Sequence, residues 1–444
     1  MTKRNGGSMR STTFKTVRWI AGFTLACVVT LSACSSSGNN SGSSSNGAAS
    51  GSKTVTLGLL TSLTGPLSSE FGQPTVAAAQ ARIDLANHTN EVPGVTLKLV
   101  VQDDQSSPAG ALAATQVLVN QDHVFALIDA SALFAAAYKY TVQNNVPVLG
   151  WGDSTEFSDP GNRNLFAYFG SPASNHPPIK NVGLFLQSQG ATKVCSLATA
   201  DVPAATNSAD QFASSARAAG LPVVYSVAVP STTTDMGAYA LAMKTAGCDS
   251  AVIVLPANQD TAMFQDMANL SFRLKATFGP PYGQSALDKS VVGAEEGLDF
   301  FSQFQPYWMN TPAANRVRAA MKTYANVDTE APVVGFHWGW IPTDLAIFGL
   351  KLPGASGSQS VFISDLRKVN DYDAGGFICP VNFTKSDYVP AGEYSACGYM
   401  SQVVNGHFTA PPKAAEPIHL TNLTTYPGLR SAELATTCRG DLQL

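Results

Sequence analysis

Charge is scarce in this chain. Only 13% of its 444 residues are Asp, Glu, Lys or Arg, and 31 acids against 27 bases give a formal net charge of −4. Five of the bases, Lys3, Arg4, Arg10, Lys15 and Arg18, fall within residues 1–33, where there is no acid, so the remainder carries −9. Such a chain lacks the basic footprint that non-specific nucleic-acid binding requires, and no nucleic-acid partner is expected. Histidine is scarcer still. The six histidines, at positions 88, 123, 176, 337, 407 and 419, are scattered and accompanied by no Cys-x-x-Cys, so no metal site is expected. The sequence also lacks GxxxxGK[ST], GxGxxG after a strand, HExxH and GxSxG. No nucleophile stands out with a base beside it. Neither an enzyme nor a cofactor is expected.

One apolar run stands behind the N-terminal bases, Trp19–Leu31 (WIAGFTLACVVTL). It is shorter than the ~20 residues a membrane-spanning helix needs, and it reads as a secretory signal. Leu31-Ser32-Ala33-Cys34 follows and resembles the bacterial lipobox, Leu-x-Ala/Gly-Cys. The resemblance implies cleavage before Cys34 and attachment of a diacylglyceryl group to its sulfur. An ordinary signal peptide with a chance cysteine is the alternative. Ser35–Ser52 is almost entirely Ser, Gly, Asn and Ala, a composition that buries no core and acts as a flexible tether. Residues 1–33 are thus expected to be a signal peptide and 34–52 a tether to the outer side of the cytoplasmic membrane.

Setting aside Cys27 and Cys34 leaves an odd set of cysteines in an oxidising compartment: Cys195, Cys248, Cys379, Cys397 and Cys438. Cys195 lies in a predicted strand, Lys193–Ala198, and Cys248 opens another, Ser250–Leu255. In the doubly wound order 2-1-3 those strands are neighbours, which makes the two cysteines a candidate disulfide. Cys379 and Cys397 bracket an apparent hairpin region and form a second candidate pair. Cys438 is left over.

The body of the chain is organised around Val124–Thr155 (VFALIDASALFAAAYKYTVQNNVPVLGWGDST). Val124–Ile128 reads as a buried strand, a turn at Asp129–Ser131 opens a helix to about Gln143, and Val146–Leu149 is a second strand: a βαβ unit. Open parallel sheets bind ligands where the strands' carboxyl ends release their loops. Those ends carry Ala130-Ser131 and Gly152-Asp153-Ser154, small residues and hydroxyls that let a ligand reach backbone N–H groups. The plain alternative is that Ser131 caps the helix, and the two roles are compatible. Upstream, strand Thr54–Leu60, a helix from about Pro74 to Asn87, strand Thr96–Val101 and a helix begun by Ser107-Pro108 complete the alternation β-α-β-α-β-α-β. A parallel sheet covered on both faces is expected.

Strand-Leu63-Thr64-Gly65-Pro66-helix, then strand-Asp103-Asp104 with Pro108 opening a helix, then strand-Ser131-helix-strand with Val146-Pro147-Val148-Leu149, resembles the leucine/isoleucine/valine-binding family. The pattern is carried by 54–155 and continues more loosely to about Phe408. The resemblance implies a type I periplasmic-binding fold: α/β, two doubly wound parallel-sheet lobes joined by three hinge crossovers. It implies lobe 1 over 53–167 and 300–374, and lobe 2 over 168–299 and 375–444, the last stretch including a tail. It also implies ligand contacts, with Phe71 as the aromatic laid over the ligand, and with Ser131, Gly152 and Ser154 as the carboxylate-holding groups of amino-acid-binding members. Asp103 and Asp104 read as structural acceptors for turn and helix-start N–H groups.

The second lobe departs from the family. Amino-acid-binding members present a tyrosine after its first strand and an acid after its fourth; here those positions hold Pro203 or Ala204, and Pro281. An ammonium buried without an anion costs several kcal/mol. Either Asp201 substitutes, or the ligand carries no amine. Asn258 lies at another strand end, and Trp151 and Tyr282 sit at predicted cleft edges, where they suit a flat or apolar ligand. Farther on, Phe336–Leu350 reads as a helix with Pro342 at its start, and Trp340 falls where the family often has an aromatic near the cleft, with core packing the expected role. The expected protein is a monomeric, extracytoplasmic lipoprotein. It would deliver a small solute, amino acid-like or a small carboxylate, amide or aromatic acid, to an ABC permease. A ligand-sensing subunit of the same fold is the alternative, and a secreted α/β hydrolase a remote one.

Overall fold

A run of apolar strands separated by helices dictates what the computed structural model shows, over residues 52–152, 155–169, 180–287, 292–384, 397–412 and 418–419. In chain order the first elements are β1 (Lys53–Thr61), α1 (Ser68–Phe71), α2 (Gln73–His88), β2 (Val95–Asp103), α3 (Pro108–Asn120), β3 (Ala126–Ala130), α4 (Tyr138–Gln143), β4 (Val148–Gly150) and β5 (Leu165–Ala167). Next come α5 (Asn181–Ser188), β6 (Val194–Thr199), α6 (Pro203–Ala218), β7 (Val223–Val229), α7 (Gly237–Ala246), β8 (Ser250–Val254), α8 (Ala257–Asn269) and β9 (Ala276–Phe278). The chain continues through α9 (Val292–Glu295), β10 (Asp299–Ser302), α10 (Pro312–Ala320), α11 (Gly335–Leu350), α12 (Gln359–Leu366), β11 (Cys397–Val404), β12 (His407–Thr409) and β13 (Ile418–His419).

Two parallel sheets carry the two lobes. The first has the order β2-β1-β3-β4-β5 and the second β7-β6-β8-β9. In β1, Leu57 and Leu59 enter the core under α2 while Leu60 enters the core under α3, as the two-residue alternation of a strand requires. β3 is buried along its whole length, which is why Ala126, Leu127 and Ile128 show no apolar–polar alternation before the buried Asp129. Both sheets reverse their winding direction beside the first strand, between β1 and β3 and between β6 and β8. β10, β11 and β12 form an antiparallel extension, joined to the second sheet by a bridge between Pro281 and Phe301. The β11–β12 hairpin turns on Asn405 and Gly406, both at positive φ, the turn that matches strand twist.

Cys195 and Cys248 form the disulfide expected from neighbouring strands, with Cα atoms 5.8 Å apart. Closing a loop with a sequence separation of 53 stabilises the fold by about 4 kcal/mol on the chain-entropy account. Cys379 is disulfide-bonded too. Cys397 starts β11; its side chain, like Cys438 and Cys34, lies outside the described residues, as does 385–396, most of the stretch between Cys379 and Cys397.

Pro342 corrects a boundary. It lies inside α11, not at its start, because the helix begins at Gly335. Its missing N–H leaves the Trp338 carbonyl without its helical donor.

Candidate ligand-binding cleft

The cleft forms where the ends of β1 and β3 diverge, the place at which open parallel sheets receive ligands. After β1 the chain is pinned by Asp103, which accepts from the backbone N–H of Leu63 at 2.9 Å and of Thr64 at 3.2 Å and from the Thr64 hydroxyl at 2.6 Å. Burial pushes the Asp103 carboxyl up, but these donors outweigh it and hold it below its ordinary range. α1 follows, a short helix that the sequence reading passed over, and it delivers Glu70 and Phe71 to the cleft. After β2 the neighbouring Asp104 is fully buried. It accepts from the Ser106 N–H at 2.7 Å and from the Ser131 hydroxyl. The Ser131 oxygen in turn accepts from the Leu133 N–H at 3.1 Å, so its one hydrogen and one of its lone pairs are already engaged.

α11 brings the central ring. Its Gly335 and Gly339 are one helical turn apart and press directly against the chain at α1 and α2. A Cβ at Gly335 would overlap the Glu70 carbonyl oxygen, and one at Gly339 the Thr75 carbonyl oxygen. The Thr75 hydroxyl fastens the contact through the Gly335 carbonyl at 2.8 Å. This approach lays Trp338 on Phe71, with ring centroids 4.2 Å apart and planes within 15°, and 4.8 Å from the ring of Trp151. Trp151 and Trp338 line three adjoining cavities. The largest, about 310 Å³, also takes in Phe71, Phe134, Phe157, Ser131, Gly152, Asp129 and Glu156 from the first lobe, and Pro203, Ala204 and Asn207 from α6 of the second. A smaller one of about 100 Å³ lies between Trp338, Trp151 and Glu70 on one side and Phe212, Leu255 and Gly279 on the other.

Gly152 has a structural reason. Its φ is +86°, and a Cβ there would run into Ala167 and the Phe169 carbonyl.

Of the residues expected at the site, Phe71, Ser131, Trp151 and Gly152 come together around this cavity. Ser154 lies outside the described residues. The structure does not bring the other three to it. Asp201 is exposed and is used locally, accepting from the Ser231 N–H at 2.7 Å and from its hydroxyl. Asn258 stands exposed in the first turn of α8. Tyr282 is fully buried beyond the cleft. Its hydroxyl donates to the Glu330 carbonyl at 2.9 Å and accepts from the Tyr307 N–H at 3.2 Å, and its ring packs 4.5 Å from Phe408.

Trp338 and Glu70 are cleft residues that the sequence does not mark. Trp338, not Trp340, is the α11 aromatic facing the cavities; Trp340 packs beside Arg82, whose guanidinium lies 5.9 Å from its ring centroid. Glu70 lines the two smaller cavities, and burial pushes its carboxyl up to about 8 despite a bond from the Ala257 N–H at the start of α8. Asp260 on α8 faces Glu70 and Glu295; burial, with help from those two charges, holds its carboxyl well above the ordinary range.

Two sheet-bearing lobes with an aromatic cleft at the strand ends define a solute-binding protein of the type I periplasmic-binding class. The chain belongs to the periplasmic binding protein family, whose model matches residues 54–407. That is a family of extracytoplasmic binding proteins, not of enzymes. The chain is similar in fold to a branched chain amino acid ABC transporter protein from Thermus thermophilus with bound valine. The identity is 19% and the TM-score 0.69, over 84% of this chain and 98% of that one. It is similar to a solute binding protein of an ABC transporter from Rhodopseudomonas palustris in complex with 3,4-dihydroxy benzoic acid, at 19% identity and TM-score 0.67, over 83% of this chain and 98% of that one. A fatty acid ABC transporter substrate-binding protein from Thermomonospora curvata matches at 17% identity and TM-score 0.65, over 83% and 92%. Among curated proteins none matches the chain.

Proposed function

We propose that this protein is a lipid-anchored receptor that captures one small solute between its lobes and hands it to an ABC importer. The observation that carries the reading is the aromatic cleft at the strand-end switch point, walled by Phe71, Trp151 and Trp338 from one lobe and by α6 from the other. A ligand touching both walls favours the closed arrangement by its differential affinity for it, and a docked permease reads that closure. Lobe 1 comprises 53–167 and 300–374 and lobe 2 comprises 168–299 and 375–444; the packing of α11 on α2, β3 and β4 supports assigning α11 to lobe 1, while the pairing of β10 with β11 draws residues 300–302 toward lobe 2. The protein acts as a monomer.

Similar structures hold an amino acid and a benzoic acid, and another is named for fatty acids, so the fold accommodates ligands of unlike chemistry. The anchor is Cys34, through the lipobox and the tether. Among the described residues no helix is long and apolar enough to cross a membrane.

Two measurements test the reading. Equilibrium dialysis against a solute library should show stoichiometric, reversible binding with the ligand recovered unchanged. Cys34→Ser should move the protein from the membrane fraction to the medium; retention on the membrane would contradict the lipid anchor.

A further inference from the structure

We propose that the cleft takes a solute recognised through a cation, a protonated amine or a quaternary ammonium group, with Glu156 and Asp129 as counter-charges and the rings of Phe71, Trp151 and Trp338 as walls. The proposal rests on the solute-binding reading and names the ligand class.

The charge of the lining is one-sided. Asp129 and Glu156 line the largest cavity, while among the described residues no lysine, arginine or histidine lines it or either of the two beside it. An anionic ligand would meet like charges there and find no fixed counter-charge; a cation meets only complementary ones. The acid that the second lobe lacks after its fourth strand is thereby supplied from the first lobe.

The hydroxyl best placed to hold a carboxylate is already engaged. Ser131 gives its hydrogen to Asp104 and accepts from Leu133, so it offers an anion nothing without breaking a buried bond. Aromatic faces, by contrast, attract cations, and tryptophan attracts them most strongly. Two of the rings on this cavity are tryptophans.

Two lining atoms are sealed from solvent with no hydrogen-bond partner among the described residues: Glu156 Oε2 and Trp151 Nε1. Buried polar atoms are ordinarily paired. The carboxylate oxygen calls for a donor or a cation, and the indole N–H calls for an acceptor. A small cation bearing a hydroxyl or carbonyl oxygen satisfies both.

The test is titration calorimetry on the full chain in detergent at neutral pH. The probes are choline and butylammonium, each beside an uncharged isostere (dimethylbutanol and butanol), together with valine and 3,4-dihydroxybenzoate. At least one of the cations should bind about tenfold or more tightly than its isostere, the equivalent of one charge-assisted contact. Glu156→Gln should abolish that preference. Equal affinity of both cations and their isosteres overturns the proposal on the unaltered chain, whatever the variant does. Binding confined to the benzoate, or binding of valine that Glu156→Gln leaves unchanged, overturns it while leaving solute binding intact. Failure of every probe overturns it too, and the solute-binding reading falls with it only if a broad library also fails.

Discussion

The indole of Trp338 lies flat on the ring of Phe71, 4.2 Å between centroids, although the two residues are far apart in the chain. The contact joins α11 to α1 at the cleft, and the ring of Trp151 lies 4.8 Å from the indole, tilted by 34°. Offset stacking of this kind is worth about 0.5–1.5 kcal/mol beyond burial. Replacing Trp338 by Phe should therefore leave the fold intact and weaken whichever solute the protein binds by about 1 kcal/mol or more. Trp340→Phe, two residues on but turned toward Arg82, should leave binding unchanged. Equal effects of the two substitutions on affinity would place the ligand elsewhere.

Ser131 joins the loop after β3 to the buried Asp104. Ser131→Ala removes a donor to a buried carboxylate and should destabilise the fold by about 1–3 kcal/mol. Chemical denaturation would show this as a lower midpoint at unchanged slope. An unchanged midpoint would mean that the hydroxyl is not committed to Asp104.

Arg82 forms a buried ion network, bidentate on Glu91 at 2.8 and 2.9 Å and bonded to Asp344 at 2.7 Å, with the Tyr372 hydroxyl on Asp344 at 2.8 Å. Burial works against the guanidinium's charge, but Asp344 and Glu91 more than restore it. Removing the cation leaves Asp344 without a counter-charge and Glu91 with only the more distant Lys351, 3.5 Å away. Arg82→Met should cost about 3–5 kcal/mol in a denaturation experiment. A loss under about 1 kcal/mol would show the network to be a surface pair in effect.

Stability should fall as pH rises from about 6.5 to 8. Burial raises the carboxyl of Glu70 to about 8 and that of Asp299 to about 7, so in this window the folded chain holds protons that the unfolded chain has released. Each such group lowers stability by up to about 1.4 kcal/mol per pH unit until its folded pKa is passed. Below about 6.5 the buried His337, held neutral by desolvation, opposes the trend, because the unfolded chain then binds the extra proton. Glu70→Gln should flatten the slope between pH 6.5 and 8, read as thermal midpoint against pH. An unaltered slope in the variant would remove Glu70 from the explanation.

The first lobe was legible because its strands are short apolar runs with glycine, proline or aspartate at their ends, and α2 and α3 carry a helical period with proline in the first turn. The disulfide was legible for the same reason: strand order fixes which cysteines are neighbours. α11 was the hard element. It is buried on nearly all sides, so its sequence has no polar face to reveal which way Trp338 and Trp340 point. The readable clue was the pair Gly335 and Gly339, which marks the side pressed against α1 and α2. Tyr282 misled because the position after a strand end says nothing about side-chain direction; here the Glu330 carbonyl draws the hydroxyl into the core. Asp201 misled similarly, its charge being taken up by Ser231. Glu70 was overlooked because a buried acid cannot be told from a solvated one in a polar turn.

The most direct test is the thermal midpoint of the purified protein across a library of amino acids, amines, amides, short acids and aromatic carboxylates. A ligand at a hundred times its Kd stabilises the fold by about 2.7 kcal/mol, which moves the midpoint measurably. The expected result is a shift with a narrow set of solutes, lost in Trp338→Phe and retained in Trp340→Phe, with the solute recovered unchanged. A flat response across the library, or chemical conversion of any solute that binds, would contradict the account.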